Sequence, residues 1–310
     1  VVDPTPSLLL VTGAAGFLGS HVVRAALARG YRVRASIRPS SDRAELDALS
    51  NVEAVIGDVT DVASLARAVE GIGAAVHCAA TTSEGRPDLA RSRAVNVEGT
   101  RALVEAASRV GRPRWIQISS MSAHPGSTSV YGRTKFEADG VVRASALPWT
   151  ILRPSIIFGP GDRGVIAKSV RLMRKLPIMP VVGDGRQLLR PILAAEVAAA
   201  ALDCIERPQT VGKTYAIGGS EEVTFNEFLK RLGEAAGAQR PAIHLPIGLS
   251  MLIARALGAV SANPPLTVDN VLGVKEAQRV DIAPATADFG FAPASFSEGL
   301  RRVYGESGGK

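Results

Sequence analysis

Short apolar runs alternate with longer amphipathic stretches through the first half of the chain. Leu8 to Val11 is apolar throughout, and Phe17 to Arg29 repeats apolar residues at helical spacing. The same pair of patterns then recurs. Arg32 to Ile37, Val52 to Ile56, Ala74 to Ala79, Trp115 to Ser119 and Trp149 to Leu152 read as strands. Asp42 to Leu49, Asp61 to Val69, Leu89 to Val110 and Val130 to Ala146 read as helices, the second capped by Thr60 or Asp61. Strands separated by helices predict a parallel sheet with crossover helices, a doubly wound α/β fold. After Pro154 the pattern loosens, and Pro154, Gly159, Pro160, Gly161, Pro177, Pro180, Gly183 and Gly185 cluster. The expected division is a domain over 1–160 and a small C-terminal lobe over 161–310, interleaved with the sheet. In the lobe, Val165 to Leu176, Phe225 to Ala236 (capped by Thr224) and Leu245 to Val260 read as helices, and Lys213 to Ile217 as a late strand. Pro264 to Lys310 reads as short helices and loops with a Gly-rich tail.

The first strand and helix are joined by Thr12-Gly13-Ala14-Ala15-Gly16-Phe17-Leu18-Gly19. Without a Cβ, Gly13 and Gly16 let the backbone turn sharply and approach a ligand closely. Gly19 lets the helix pack closely. The helix N-terminus directs free N–H groups and partial positive charge at the turn, which suits a pyrophosphate. The spacing is G-x-x-G-x-x-G. With its Thr and its Phe-Leu pair it resembles the short-chain dehydrogenase/reductase superfamily, nearest to the extended and atypical branches that hold the epimerase/dehydratase proteins. The resemblance implies a Rossmann sheet with the cofactor across the carboxyl ends of the strands, a substrate lobe, and cofactor contacts from Gly13, Ala15, Gly16, Phe17 and Leu18.

The end of the second strand bears on the choice of cofactor. A carboxylate there would bind the adenosine ribose hydroxyls and favour NAD. The chain has Ala35-Ser36-Ile37-Arg38-Pro39-Ser40-Ser41 instead, with Asp42 beyond the turn. Arg38 offers a bidentate clamp for a 2′-phosphate, and Ser40 or Ser41 a hydroxyl, so NADP is expected over NAD. A solvated surface arginine is the alternative. After the third strand, Gly57-Asp58-Val59 resembles the superfamily's adenine contact, with Asp58 accepting from the amino group; Asp58 can also cap the turn. Ala79 and Ala80, behind the fourth strand, are small enough for the ribose–phosphate portion to lie on the backbone. His77 reads as a core histidine. Asn96, in Asn96-Val97-Glu98-Gly99-Thr100, matches a superfamily helix motif in which the Asn is chiefly structural.

Tyr131-Gly132-Arg133-Thr134-Lys135 is a Y-x-x-x-K, and positions i and i+4 share a helix face. A phenol with pKa of about 10 carries protons poorly at neutral pH. A nearby ammonium such as Lys135 stabilises phenolate, and an oxidised nicotinamide adds positive charge. Lys135 also suits the nicotinamide ribose. Ser120, second of the Ser119-Ser120 pair, is the expected holder of the substrate oxygen, with Ser119 and Ser122 as competitors. No G-x-S-x-G elbow of a serine hydrolase is present. Arg153-Pro154, followed by Gly159-Pro160-Gly161, resembles the extended branch's RP…GPG segment, which implies nicotinamide contacts from Pro154, Ser155 and Ile157. The second half, including Gly218-Gly219 before Thr224-Phe225-Asn226-Glu227, resembles atypical members related to an accessory subunit of respiratory complex I. That subunit type binds NADPH without an evident reaction. The chain departs from it in keeping Tyr131, Lys135 and the Ser pair together.

Composition adds bounds. The chain has 310 residues, 46% of them hydrophobic and 21% charged, which is ample for a core. A net charge of +7 fits an anionic ligand such as a phosphorylated cofactor. No basic stripe with interleaved aromatics points to nucleic acid. Cys78, Cys204 and four histidines have no metal or disulfide spacing, and a reducing cytoplasmic setting is expected. Leu8 to Val11 is too short for a signal sequence's apolar region, and no stretch is long enough to span a bilayer. On the substrate side, Lys168, Arg171, Arg174 and Lys175 offer a basic face for an anionic substrate, or a solvated one. Leu245 to Val260, with Arg255, is unusually apolar and suits a hydrophobic substrate, a partner surface, a membrane interface or burial against the lobe. Thr81, Thr82 and Ser83 are candidate pocket residues. The expected function is NADP(H)-dependent oxidation and reduction of a small-molecule alcohol or carbonyl. Its alternatives are a nucleotide-sugar epimerase or dehydratase and a non-catalytic NADPH-binding subunit. A homodimer is the expected assembly, if any.

Overall fold

A computed structural model describes residues 8–82, 88–162, 164–261, 264–275 and 279–305. In chain order the first part runs β1 (Leu8–Thr12), α1 (Phe17–Ala28), β2 (Arg32–Ile37), α2 (Ala44–Asp47), β3 (Val52–Ile56), α3 (Val62–Val69) and β4 (Ala74–His77). It continues with α4 (Leu89–Arg93), a π-helical turn at Ala94–Glu98, α5 (Gly99–Arg109), β5 (Arg114–Ile118), α6 (Val130–Arg143) and β6 (Trp149–Pro154). The second part runs β7 (Ile157–Phe158), α7 (Val165–Lys175), β8 (Met179–Val182), β9 (Leu188–Leu189), β10 (Ile192–Leu193), α8 (Ala194–Glu206) and β11 (Lys213–Ile217). Then follow β12 (Val223–Thr224), α9 (Phe225–Ala235), β13 (Ala242–Leu245), α10 (Ile247–Val260), α11 (Val268–Lys275), α12 (Ala283–Phe289) and α13 (Phe296–Tyr304).

Seven strands form one parallel sheet in the order β11-β6-β5-β4-β1-β2-β3. The order reverses between β1 and β4, and ligands of such sheets bind at the carboxyl ends beside that switch. Strand alternation builds a core on each face. Leu8 and Leu10 join Leu65, Val69 and Leu103 of α3 and α5. Leu9 and Val11 join Val22 and Ala26 of α1 and Val197 and Ala201 of α8. A third core, around Phe158, Ile166, Met173, Phe228 and Phe296, lies under the lobe. The late strand β11 pairs with β6, so the chain returns to the main sheet after β7 to β10 have left it. Short pairs β7–β10, β9–β12 and β8–β13 build the rest of the lobe.

Two helices differ from the sequence reading. The long helix expected over Leu89 to Val110 is broken by the π turn, which buries Asn96 and Val97. The helix expected over Asp42 to Leu49 shrinks to Ala44–Asp47, because Asp42 turns back to accept the Ala44 N–H at 3.1 Å. The Gly-rich tail lies partly outside the described residues. No helix among the described residues is long and apolar enough to cross a membrane.

Candidate active site

The glycine turn closes β1 against the exit of β4. Gly13 has φ +65°, a conformation glycine adopts without strain, and its carbonyl accepts the Gly16 N–H at 2.8 Å. A Cβ on Gly19 would stand 2.1 Å from the Gly13 carbonyl oxygen, so only glycine lets α1 start this close to the turn. Thr12 Oγ1 accepts the Ala79 N–H at 3.2 Å, which fixes the Cys78–Ala80 segment beside the turn. Gly16 is the N-cap of α1, with no side-chain cap and no acid in the first turn. Ala15 and Gly16 are exposed there, and Phe17 and Leu18 partly so.

Behind this surface runs a buried polar chain whose extent the sequence reading did not anticipate. Thr12 Oγ1 meets His77 Nδ1 at 2.7 Å, His77 Nε2 meets Thr100 Oγ1 at 3.0 Å, and Thr100 donates to the Asn96 carbonyl at 2.7 Å. Asn96 Nδ2 donates to Thr134 Oγ1 at 3.0 Å and Asn96 Oδ1 accepts the Thr81 N–H at 2.8 Å. The chain thereby ties β1, β4 and the π turn to α6. Burial pushes the His77 imidazole down to about 3, so it stays neutral and structural. Its sequence signals were polar Thr12 and His77 inside otherwise apolar strands and the helix motif holding Asn96 and Thr100.

Arg38 is exposed just after β2 and, among the described residues, forms no ion pair. Its neighbour Arg43 is instead closed on Asp47 at 2.8 Å. Asp58 follows β3; its Oδ1 accepts the Thr60 N–H at 2.9 Å and the Thr60 hydroxyl at 2.7 Å. Those bonds, with the Arg38 charge, hold its carboxyl below the ordinary range and leave Oδ2 for another donor. Asp61 caps α3, as one of the two expected alternatives had it. Val59 is buried.

The helix α6 begins at Val130 because the Ser129 side chain caps it, accepting the Gly132 N–H at 3.0 Å. Tyr131 and Lys135 lie one turn apart on it. The Ser120 hydroxyl lies close enough to the Tyr131 phenol to draw its pKa down. Ser120 Oγ also accepts the Ser122 N–H at 3.1 Å. Ser119 Oγ is buried without a hydrogen-bond partner among the described residues. Of the three candidate serines, Ser120 is the one whose hydroxyl acts on the phenol.

Lys135 is buried and donates to the Ile118 carbonyl at 2.6 Å. Burial lowers its pKa, and the Asp139 carboxylate one turn further along opposes that fall. The Tyr131 phenol is pushed up to about 12, chiefly by burial, although the nearby Ser120 hydroxyl pulls it down. The lowering expected from Lys135 is thus not met by the protein alone. Loss of water outweighs it, and the ammonium is turned to a backbone carbonyl.

Asp139, which the sequence reading did not single out, is fully buried, and its Oδ2 accepts Arg153 Nη2 at 2.8 Å. The spacing Y-x-x-x-K-x-x-x-D would have placed it on the same helix face. Pro154 ends β6, and its carbonyl accepts the Met121 N–H at 3.0 Å, drawing the Ser120 loop to this edge of the sheet. Ile157 pairs with Ile192 and packs partly into the core. Thr81 is partly buried and Thr82 exposed, and Ser83 lies outside the described residues. Lys168, Arg171, Arg174 and Lys175 lie on α7, and all four are exposed, the solvated alternative.

A family model described as NAD dependent epimerase/dehydratase matches residues 9–218. The chain belongs to that family. Sterol demethylase protein B of Methylococcus capsulatus is 35% identical over 271 residues, 79% of each chain. Ceramide reductase of Caulobacter vibrioides is 32% identical over 244 residues, 77% of this chain and 74% of that one. The crystal structure of UDP-glucuronic acid 4-epimerase from Bacillus cereus, in complex with UDP-glucuronic acid and NAD, matches with a TM-score of 0.77 at 22% identity. It covers 96% of this chain and 98% of its own, a likeness of fold.

The chain is accordingly an NAD(P)-dependent enzyme of the epimerase/dehydratase family, an oxidoreductase or an epimerase. The turn fits such a cofactor. A Cβ on Gly13 would sit 3.0 Å from the Ala79 backbone, so this end of the sheet is close-packed backbone, and the first turn of α1 faces it without a cap. Gly16 gives the gentler test: its φ of −81° is open to other residues and its Cβ would stand 3.0 Å from the Gly13 carbonyl oxygen, a contact a small shift relieves, whereas Gly13 has φ +65°. Gly16→Val is expected to weaken NADPH binding at least about tenfold, measured by quenching of intrinsic fluorescence, while circular dichroism stays native. A folded variant with unchanged affinity would remove the turn from the cofactor site.

Proposed function

We propose that the chain is an NADP(H)-dependent oxidoreductase that reduces a carbonyl or oxidises the corresponding alcohol, with Tyr131 as proton carrier. The placement of Tyr131 and Lys135 one turn apart on α6, with the Ser120 loop drawn to the same edge of the sheet, carries the reading. It pairs a transferable proton with a second hydroxyl that can hold the same substrate oxygen. Bound nicotinamide would exchange a hydride with the substrate carbon. Ser120 orients the oxygen, and Tyr131 donates its proton to that oxygen in reduction. With its pKa raised, the phenol is protonated throughout the neutral range, which suits the donor role. Lys135 supplies the buried positive charge behind it. In this reading Gly13, Ala15, Gly16, Phe17 and Leu18 face the pyrophosphate, Asp58 and Val59 the adenine, Ala79 and Ala80 the ribose–phosphate, and Pro154 and Ile157 the nicotinamide.

Two relatives support reduction or oxidation over epimerisation: the sterol demethylase protein and the ceramide reductase, each above 30% identity. The test is net change in nicotinamide absorbance with ketone or alcohol substrates. Conversion of a nucleotide sugar to its epimer without net change would replace this reading with the epimerase one.

The preference for NADP rests on Arg38, exposed and unpaired at the end of β2, with no acid in the strand's last turn. A hydrogen-bonded charge of this kind contributes about 1.5–3 kcal/mol, or roughly 10- to 100-fold. Arg38→Ala is expected to weaken NADPH by that factor and NADH hardly at all, by titration of each. Equal losses for the two would show that Arg38 does not read the 2′-phosphate.

A further inference from the structure

Beside the start of α6 the structure has a cavity of about 470 Å³. Val130, next in sequence to Tyr131, lines it from α6, Ala254 and Gly258 from α10, and Val268 and Leu272 from α11. Two charged residues complete the wall, Arg255 and Asp269. Asp269 is buried, and its Oδ2 accepts the Val130 N–H at 3.1 Å, which anchors α11 to the first residue of the helix that carries Tyr131. Arg255 is exposed at the rim and, among the described residues, forms no ion pair. The volume is that of a small-molecule site.

We propose that this cavity receives the apolar body of a lipid-like carbonyl or alcohol bearing at most one anionic group, with Arg255 meeting its polar head. The inference rests on the oxidoreductase reading and narrows it to a substrate class. Charge decides against a nucleotide sugar. A diphosphate needs several cations around it, whereas among the described residues the wall holds one cation and one carboxylate. The basic residues Lys168, Arg171 and Arg174 of α7 point to solvent and do not line the cavity. Shape and chemistry agree, because the remaining walls are aliphatic or small and gain most from excluding water over a hydrocarbon body.

The probe is 11-(dansylamino)undecanoic acid, apolar and singly anionic, whose emission rises in apolar surroundings. A Cβ added at Gly258 meets nothing within 4 Å, so Gly258→Trp fills the cavity without forcing backbone apart. The wild-type protein is expected to bind the probe saturably, and Gly258→Trp to bind it at least tenfold more weakly, with NADPH affinity unchanged. Gly258→Ala should behave as wild type, which separates occlusion from misfolding. Arg255→Gln should weaken the anionic probe several-fold and spare its neutral carboxamide. Leu252→Glu, 64% exposed and outside the cavity lining, should change nothing. A wild-type protein that ignores the probe, a Gly258→Trp protein that binds it normally, or displacement of the probe by UDP-glucose would each overturn the assignment. Failure of the oxidoreductase reading is separate: it would show as a protein that binds both probe and NADPH and transfers no hydride to any ketone.

Discussion

Tyr131→Phe is expected to lower turnover about 10²–10⁴-fold, the usual contribution of a positioned acid–base group. The substitution keeps the ring and its packing and removes only the phenol hydroxyl and its transferable proton. NADPH affinity should change little, since a phenol hydroxyl is a minor contact for so large a ligand. Lys135→Ala should differ in kind. It removes a buried cation and its bond to the Ile118 carbonyl, so cofactor affinity and turnover should fall together. The pH dependence follows from the direction of each shift. Because the Tyr131 pKa is raised, the proton needed for reduction stays in place as pH climbs through neutrality. Because the Lys135 pKa is lowered, its charge is lost before that of an ordinary lysine, and reduction should fail first on that account. Oxidation, which needs phenolate, should accelerate with rising pH. The measurement is kcat and NADPH dissociation for both variants across pH 6 to about 10. Full turnover by Tyr131→Phe would end the proposed mechanism.

The strands were legible because their signal is local. Arg32–Ile37, Val52–Ile56 and Lys213–Ile217 lie where the pattern put them, since each turns alternate apolar residues to the core shared with α1 and α8. The glycine turn was legible for a related reason: the missing Cβ atoms are what let Gly13 and Gly19 meet within one turn. The π turn was not legible. An extra residue in a helical turn leaves hydrophobic periodicity almost intact, and its cause is Asn96, held by Thr81 and Thr134 from distant segments. The relation of Tyr131 to Lys135 was half legible. Spacing put them on one face, but where the ammonium points depends on the Ile118 carbonyl, a neighbour across the sheet. Least legible was the cavity between α6, α10 and α11. Leu245 to Val260 showed an apolar helix, and only the tertiary contact through Asp269 and Val130 sets it beside the Tyr131 helix.

Asp139→Ala is expected to cost about 3–5 kcal/mol of stability, the usual price of stranding one partner of a buried ion pair. Asp139 has no exposed side-chain surface, whereas Arg153 keeps 20% of its own, so some of the stranded charge can reach water and the lower end applies. Arg143, 3.8 Å from the same oxygen, is a weaker partner and relaxes easily toward solvent. For a chain of this size the melting temperature should fall by roughly 5–10 °C. A second effect separates structure from chemistry. Asp139 opposes the fall of the Lys135 pKa, so its removal should let Lys135 lose its proton at still lower pH and move the alkaline limit of reduction downward. The double variant Asp139→Leu with Arg153→Leu should recover part of the stability, because Arg153 is no longer stranded, yet Lys135 still lacks its carboxylate and the alkaline limit should not recover. Urea unfolding and the pH profile of turnover measure the two effects independently. If Asp139→Ala unfolds like the wild type, the ion pair contributes nothing to the fold; if the alkaline limit also stays in place, Asp139 does not set the charge of Lys135.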